Sequence, residues 1–575
     1  MQKPTKKVET NRQLLLDAES RGLASTLGVY VRLSGPGWLQ SAITLGGGSL
    51  AGALFLGILG GTNLLWLQMV AIIMGVIMLS AISYVTLSTG ERPFRAINSH
   101  INPALGWGWI IATCMANMIW CMPQFSLCYE ALHKNLAAGA VGTSLTAKLG
   151  VSAMILVATG FVVMLNSRQG AAAKAFDLFL KALIGMIVIC FFAVVIYLAS
   201  NDMLNWGAIL AGFIPDLRQW NQPTGEVAGV LATLPDNVQQ FWSTKLVTEQ
   251  RAVMIGAAAT AVGINMTFLL PYSMLNRGWD KPFRGLAKFD LSTGMAIPYV
   301  LVTSCVVIAA AATFHAKIDD NFRSTDPAVM QTSPIYKSAE KLLIARAQLE
   351  MGEESFNALG DDERAAAIAG LSDADKQVAS SLVRRDAFQL SAALAPLLGE
   401  QTANLVFGLG VFGMGFSTII ILMLINGFAF CEIIGAPQGG VPHAIGCAVA
   451  GISGAIWPLL WDGPAKLWLA ILASSFGMML LPIAYVTFFM MMNSRRLLGD
   501  EKPTGGRMVA WNVLMGVSVL GAIVAAGAAI MEKAADPVAG RVVIGIAVVY
   551  VILVAIGFLV KKPDSGVRPG EAYAE

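Results

Sequence analysis

Apolar stretches long enough to cross a bilayer recur along this chain of 575 residues, and that recurrence limits its folds more than any other feature. A hydrocarbon core about 30 Å thick takes about 20 helical residues to span, and backbone polar groups inside it must find partners within the protein. Segments meeting that requirement lie near 35–60, 62–88, 107–132, 149–166, 175–199, 253–276, 291–315, 401–431, 441–461, 466–493, 508–531 and 541–561. The predicted fold class is an all-α polytopic membrane protein with about twelve transmembrane helices. Composition closes off other classes: 56% of residues are hydrophobic and 13% charged, against roughly 45–50% and about 25% in soluble domains. A soluble enzyme and a disordered scaffold are excluded, and no catalytic residues or resident cofactor are expected. Lys and Arg number 39 against 36 Asp and Glu, too even a balance for a nucleic-acid partner.

Positive charge sets the expected orientation. With twelve spans, the N-terminal tail (1–33), the connections carrying Arg92, Arg168/Lys174, Arg277/Lys281/Arg284/Lys288 and Arg495/Arg496/Lys502, and the Lys561/Lys562 tail all fall on one side. Both termini are therefore predicted to be cytoplasmic. No cleavable leader is legible, and a bacterial inner membrane is the expected location. The opposite side receives a loop at 201–252 and an acidic insertion at 316–400, which reads as a helical hairpin. In it Lys337–Met351 is amphipathic, Asp361-Asp362-Glu363 opens a second helix, and Ser372 with Asp375 resembles a capping box. No protein partner is legible in it.

The seven cysteines lie in or beside apolar segments, which argues against a disulfide framework. Cys114, Cys121 and Cys128, seven apart, read as small buried thiols on one helix face. Gly408-Leu409-Gly410-Val411-Phe412-Gly413 satisfies a nucleotide-binding pattern but lies inside an apolar span, so helix packing is its expected role.

Two spans are interrupted. Gly35-Pro36-Gly37 opens the first, and Thr44-Leu45-Gly46-Gly47-Gly48-Ser49 occupies its middle, where each glycine costs a helix about 1 kcal/mol relative to Ala. In the sixth, Gly263-Ile264-Asn265-Met266-Thr267 lies mid-span, and Pro271 lacks the N–H a helix needs. Gly263 and Pro271 are the helix-breaking residues predicted there. Unwound backbone at membrane depth is tolerated where it is buried or lines a cavity. A broken helix opening each half of a chain points to a transporter site between inverted repeats. The candidate substrate-binding residues are Thr44, Gly46, Gly47, Gly48 and Ser49 with Asn265, Met266 and Thr267.

Several stretches resemble, in order, the Nramp family of proton-coupled divalent-metal transporters. Gly35-Pro36-Gly37-Trp38-Leu39 and the break after it are similar to that family's first helix. Lys288-Phe289-Asp290, running on to Ala309-Ala310-Ala311-Ala312-Thr313-Phe314-His315, is similar to its seventh. Leu394-Ala395-Pro396-Leu397-Leu398-Gly399 looks like the entry to the eighth, and Asn493-Ser494-Arg495-Arg496-Leu497-Leu498-Gly499 like the stretch after the tenth. The resemblance implies a LeuT-type fold. Two inverted five-helix repeats would occupy 34–200 and 253–500, with two further helices in 501–575.

The same resemblance marks departures. The family's first helix carries Asp-Pro-Gly-Asn, whose Asp and Asn hold the metal; Gly46-Gly47-Gly48-Ser49 stand there. Its Met-Pro-His in the sixth helix falls at Asn265-Met266-Thr267, and a tenth-helix Gln at Leu480. Acidic residues of its third helix fall on a face that reads Asn117, Gln124 and Glu130, the candidates for a proton or ion path. Gly415-Phe416-Ser417-Thr418 resembles a Gly-Gln-Ser-Ser-Thr stretch of the eighth helix without its Gln. With hydroxyls, one amide and one thioether, no metal-ligand set is assigned. A bare Mn²⁺ or Fe²⁺ would be held poorly, whereas Mg²⁺, which sheds water reluctantly, could be bound through its waters. Three readings stay open: an Nramp-related carrier of a cation, chiefly a divalent metal; the same fold carrying a small neutral or anionic solute; and a non-transporting receptor or scaffold.

Overall fold

The computed structural model describes residues 6–167, 171–385, 388–389, 399–461, 468–534 and 539–560. Arg168, the Leu394–Leu398 stretch and the Lys561/Lys562 tail lie outside the described residues. Among the described residues every regular element is helical. The first span is a pair, α1 (Pro36–Thr44) and α2 (Gly47–Gly60), followed by α3 (Leu65–Thr89), α4 (Pro103–Ala131), α5 (Leu145–Ser167) and α6 (Ala171–Ser200). The second half opens with α7 (Asp236–Ala261) and α8 (Ile264–Asn276), then α9 (Ile297–Phe314), α10 (Glu400–Ile433), α11 (Gly440–Ala455) and α12 (Trp468–Asn493). Two more, α13 (Gly505–Ala534) and α14 (Ala539–Leu559), complete the set.

Ten spans among the described residues are long and apolar enough to cross a membrane, and the bent α1–α2 pair makes an eleventh. The segment predicted at 441–461 forms α11, only 16 residues long. Pro458 explains the shortfall: it has no N–H to give to the Gly454 carbonyl, so the helix ends at Ala455 and a short separate turn, Trp457–Leu460, follows. The chain is an integral membrane protein.

The loop predicted at 201–252 is largely ordered helix instead. The 201–252 region contains Trp206–Ala211, Glu226–Leu231 and the first half of α7, whose Val238, Trp242 and Leu246 repeat every four residues and are buried. That half is too polar to register as a span, so hydropathy alone starts the helix late. The described residues 316–385 of the insertion form an array of short helices rather than a single hairpin, including the two helices expected there, Tyr336–Met351 and Asp361–Ala369, and a third, Asp373–Leu382. Ser372 caps the last of these, its hydroxyl accepting from the Asp375 N–H at 3.1 Å. Asp375 is also paired with Arg346 at 2.8 Å and accepts from the Trp242 indole at 2.8 Å, which ties the insertion to α7. Lys376 is fully buried, and its ammonium donates to the carbonyls of Arg323, Ser324 and Ala369.

The polar N-terminal tail is likewise two helices, Lys6–Arg21 and Leu23–Leu33. Arg12 pairs with Asp280 beyond α8 and Leu15 is buried, so this pair sits at the end of the bundle where α1 begins. The other end of the first span meets His315 and Glu226: His315 Nδ1 donates to Ile58 O at 2.8 Å, and its Nε2 accepts from the Glu226 N–H at 2.9 Å. Gly408, Gly410 and Gly413 of α10 lie against Leu136, Cys190 and Met186, so this glycine pattern serves helix packing.

Candidate functional site

Helices α1 and α2 meet at 51° across Leu45-Gly46. A broken helix leaves carbonyls at one end and N–H groups at the other, and each needs a partner inside the membrane. Ala42 O is met by two hydroxyls of α10, Ser417 at 3.0 Å and Thr418 at 3.1 Å. Thr44 O accepts from the Ser49 hydroxyl. Gly46 stands at the N-cap of α2 and has no side chain to cap it. Gln124 of α4 does so in its place, with Oε1 accepting from the Gly47 N–H at 2.8 Å.

The three glycines are required by what packs on them. A Cβ on Gly46 would lie 2.5 Å from Thr418 Oγ1, and one on Gly47 would lie 2.8 Å from Leu127 Cδ2 and 2.9 Å from Gln124 Oε1. A Cβ on Gly48 would lie 2.9 Å from Thr260 Cγ2 and 3.2 Å from Ser474 Oγ. Side chains from α10, α4, α7 and α12 therefore converge on bare backbone at the break.

The sixth span breaks at Val262-Gly263, which is extended, and Gly263 is covered by the Trp120 ring. Pro271 does not mark this break: it lies inside α8, one residue past its middle, where its missing N–H costs one helix bond. Asn265 donates to Asn117 Oδ1 at 3.1 Å, Asn117 to Asn426 Oδ1 at 3.3 Å, and Asn426 to Gly446 O at 3.3 Å. Thr267 accepts from the Trp109 indole at 2.9 Å. The two breaks touch through Gln40, whose amide donates to Met266 O at 3.2 Å, and through the Thr44 hydroxyl, 3.5 Å from Met266 Sδ.

The structure thus places Thr44 beside Met266, Gln124 on Gly47, and Asn117 on Asn265. Glu130 stands apart, paired with Lys134 at 2.7 Å near the end of α4. Sequence reasoning missed Gln40, Ser474 and Trp120. The hydroxyls of Ser417 and Thr418 have a sequence signal in the Gly415-Phe416-Ser417-Thr418 stretch, which keeps its hydroxyls while lacking a Gln. Fully buried oxygens here without a hydrogen-bond partner include Gln40 Oε1, Asn265 Oδ1 and Ser474 Oγ. Such atoms are costly to bury alone, and all of these are uncharged. Among the described residues no group of three or more His, Cys, Asp or Glu could hold a metal ion.

Comparison with known proteins places this architecture. The family model described as natural resistance-associated macrophage protein-like (Nramp) matches residues 37–355 and 365–527. The chain belongs to the Nramp family, and its fold is that family's all-helical LeuT type. Crystal structures of the Eremococcus coleocola manganese transporter are similar to it at a TM-score of 0.63 and 14% identity. For a single-residue variant the match covers 93% of this chain and 95% of that one; for the complex with an aromatic bis-isothiourea substituted compound, 94% and 96%. No curated protein matches the sequence.

Proposed function

We propose that the chain is a secondary transporter that moves a divalent metal ion, Mg²⁺ with part of its water shell, by alternating access. The observation that carries this reading is the contact of two broken helices, Gln40 and Thr44 against Met266, with unpartnered neutral oxygens on the surrounding elements, Gln40 Oε1, Asn265 Oδ1 and Ser474 Oγ. Amide and hydroxyl oxygens suit the bound waters of a hard ion better than a stripped one, which usually needs a carboxylate. Family membership supports a divalent cation as cargo, as do the manganese transporters that share the fold. The substrate would sit between Gly46–Ser49 and Asn265–Thr267. Asn117 and Gln124 each give a side-chain oxygen to one break, accepting from Asn265 and the Gly47 N–H, and neither amide can carry a proton beside the cargo. The cytoplasmic face would be the end carrying the N-terminal helices, in a bacterial inner membrane.

A second reading, a small neutral solute, is favoured by one observation: the place of a carboxylate at Gly46 is filled by Thr418. Uptake into proteoliposomes across Mg²⁺, Mn²⁺, Ca²⁺ and K⁺, with internal pH read in parallel, separates the two. Mg²⁺ flux without acidification is the expected result. No flux of any cation would overturn the metal reading and move the search to neutral solutes.

A further inference from the structure

Where the chain enters α1, several groups hold the start of the half-helix. The fully buried Asp290 accepts from the Gly37 N–H at 2.6 Å, the Gly35 N–H at 3.1 Å and the Ser34 hydroxyl. Pro36 between them has no N–H, so one carboxylate takes both backbone donors and faces the positive end of the helix dipole. Lys181 of α6 donates to Ser34 O at 3.2 Å. Arg277, just beyond α8, pairs with Asp177 of α6 at 2.9 Å and lies 2.5 Å from where a Cβ on Gly35 would sit. A Cβ on Gly37 would strike the Asp290 carbonyl. The two glycines thus let a carboxylate and a guanidinium close flush on the chain. The end of α8, α6 and the short helix Arg284–Leu291 that carries Asp290 meet here on a half-helix that bends 51° from α2 at its other end.

We propose that Asp290 is the latch of the gate at this end: its carboxylate holds α1 shut, and its release lets α1 swing away from α6, α8 and α9. Asp290 is a positioning residue that touches no cargo. The assignment rests on the transport reading for its purpose, but it can be measured with no substrate at all.

The test is the rate of maleimide labelling of the full-length, folded chain. The background is Cys114→Ser, which removes the one partly exposed thiol. The reporter is Ser41→Cys in α1, a buried position whose hydroxyl has no partner, and the control is Met515→Cys, fully buried in α13. Asp290→Ala is expected to speed labelling at position 41 about tenfold, a shift equivalent to about 1.4 kcal/mol, and to leave position 515 unchanged. Ser34→Ala and Asp290→Asn, which each keep part of the bonding, should give smaller increases, and they carry the test if Asp290→Ala does not fold. An unchanged rate at position 41 overturns the latch. Equal acceleration at both positions also overturns it, because it reports general loosening from a lost helix cap. A chain that labels as expected but moves no solute keeps the latch and sinks the transport reading; the reverse pattern sinks the latch alone.

Discussion

Gly46→Asp places a carboxylate at the first break, where the family resemblance implies one, and the structure says what it would meet. Its Cβ would lie 2.5 Å from Thr418 Oγ1, 3.2 Å from Thr418 Cγ2 and 3.0 Å from Ile43 O. Two of the three contacts belong to one side chain on another helix, so relief is available by a second substitution. Overpacking of this kind costs about 1–3 kcal/mol. Gly46 has φ −97, which any residue adopts, so Gly46→Ala recovers about 0.4–1 kcal/mol of chain entropy and isolates the clash. Thr418→Ala removes both contacting atoms, and Ala42 O keeps the Ser417 hydroxyl at 3.0 Å. The double variant Gly46→Ala/Thr418→Ala should then be more stable than the sum of its parts by about 1 kcal/mol or more. Thermal unfolding of the four proteins in detergent reads that coupling, and Mn²⁺ binding to Gly46→Asp with and without Thr418→Ala reads its consequence. Mn²⁺ affinity should rise in the double variant alone. Strictly additive stabilities, or an equal gain in Mn²⁺ affinity without the Thr418 change, would refute the idea that Thr418 occupies the ligand's place.

Three further outcomes are expected. Gln124→Leu removes the cap of α2 and should lower stability by about 1 kcal/mol while Gln124→Glu loses less, as melting temperatures will show. Burial holds the His315 imidazole below its ordinary value, helped by Lys317 and opposed by Ile58 O and Glu226. The unfolded chain therefore binds the proton more readily, so this contribution is fully present above about pH 6.5 and is lost as pH falls toward the depressed folded value. Melting between pH 7.5 and 5 should steepen through His315, and the slope should flatten in His315→Asn, where the amide can still donate to Ile58 O. Asp375→Ala leaves the buried Arg346 only its exposed partner Glu350 at 3.0 Å and orphans the Trp242 indole, and should cost the insertion up to about 3–5 kcal/mol, seen as faster proteolysis within 316–385.

The spans were legible because a membrane imposes its thickness on every one of them, and the first break was legible because three consecutive glycines have no other common use at that depth. Gly263 was legible too, but Pro271 misled: within α8 it removes one bond from a helix already held by its neighbours, whereas Val262-Gly263 is where the backbone extends. What packs on the breaks was hidden by distance along the chain. Thr418 lies 376 residues from the Ala42 carbonyl it meets, and no local pattern links them. Gln124 shows a different limit. Its polarity in an apolar helix was visible, but polarity cannot say whether an amide conducts, binds or caps. The insertion escaped as a hairpin because short helices carry caps but no long hydrophobic period.

The line of amides from Asn265 through Asn117 to Asn426 has a consequence for energetics. Asparagine passes hydrogen-bond polarity from α8 through α4 to α10 but stores no proton, so on the proposed transport reading cargo beside it would carry its own charge unaccompanied. Each elementary charge falling through 100 mV gains about 2.3 kcal/mol. A dication would gain about 4.6 kcal/mol, enough at equilibrium for an accumulation on the order of a thousandfold. The voltage alone, without a pH gradient, would then set both the direction and the ceiling of uptake.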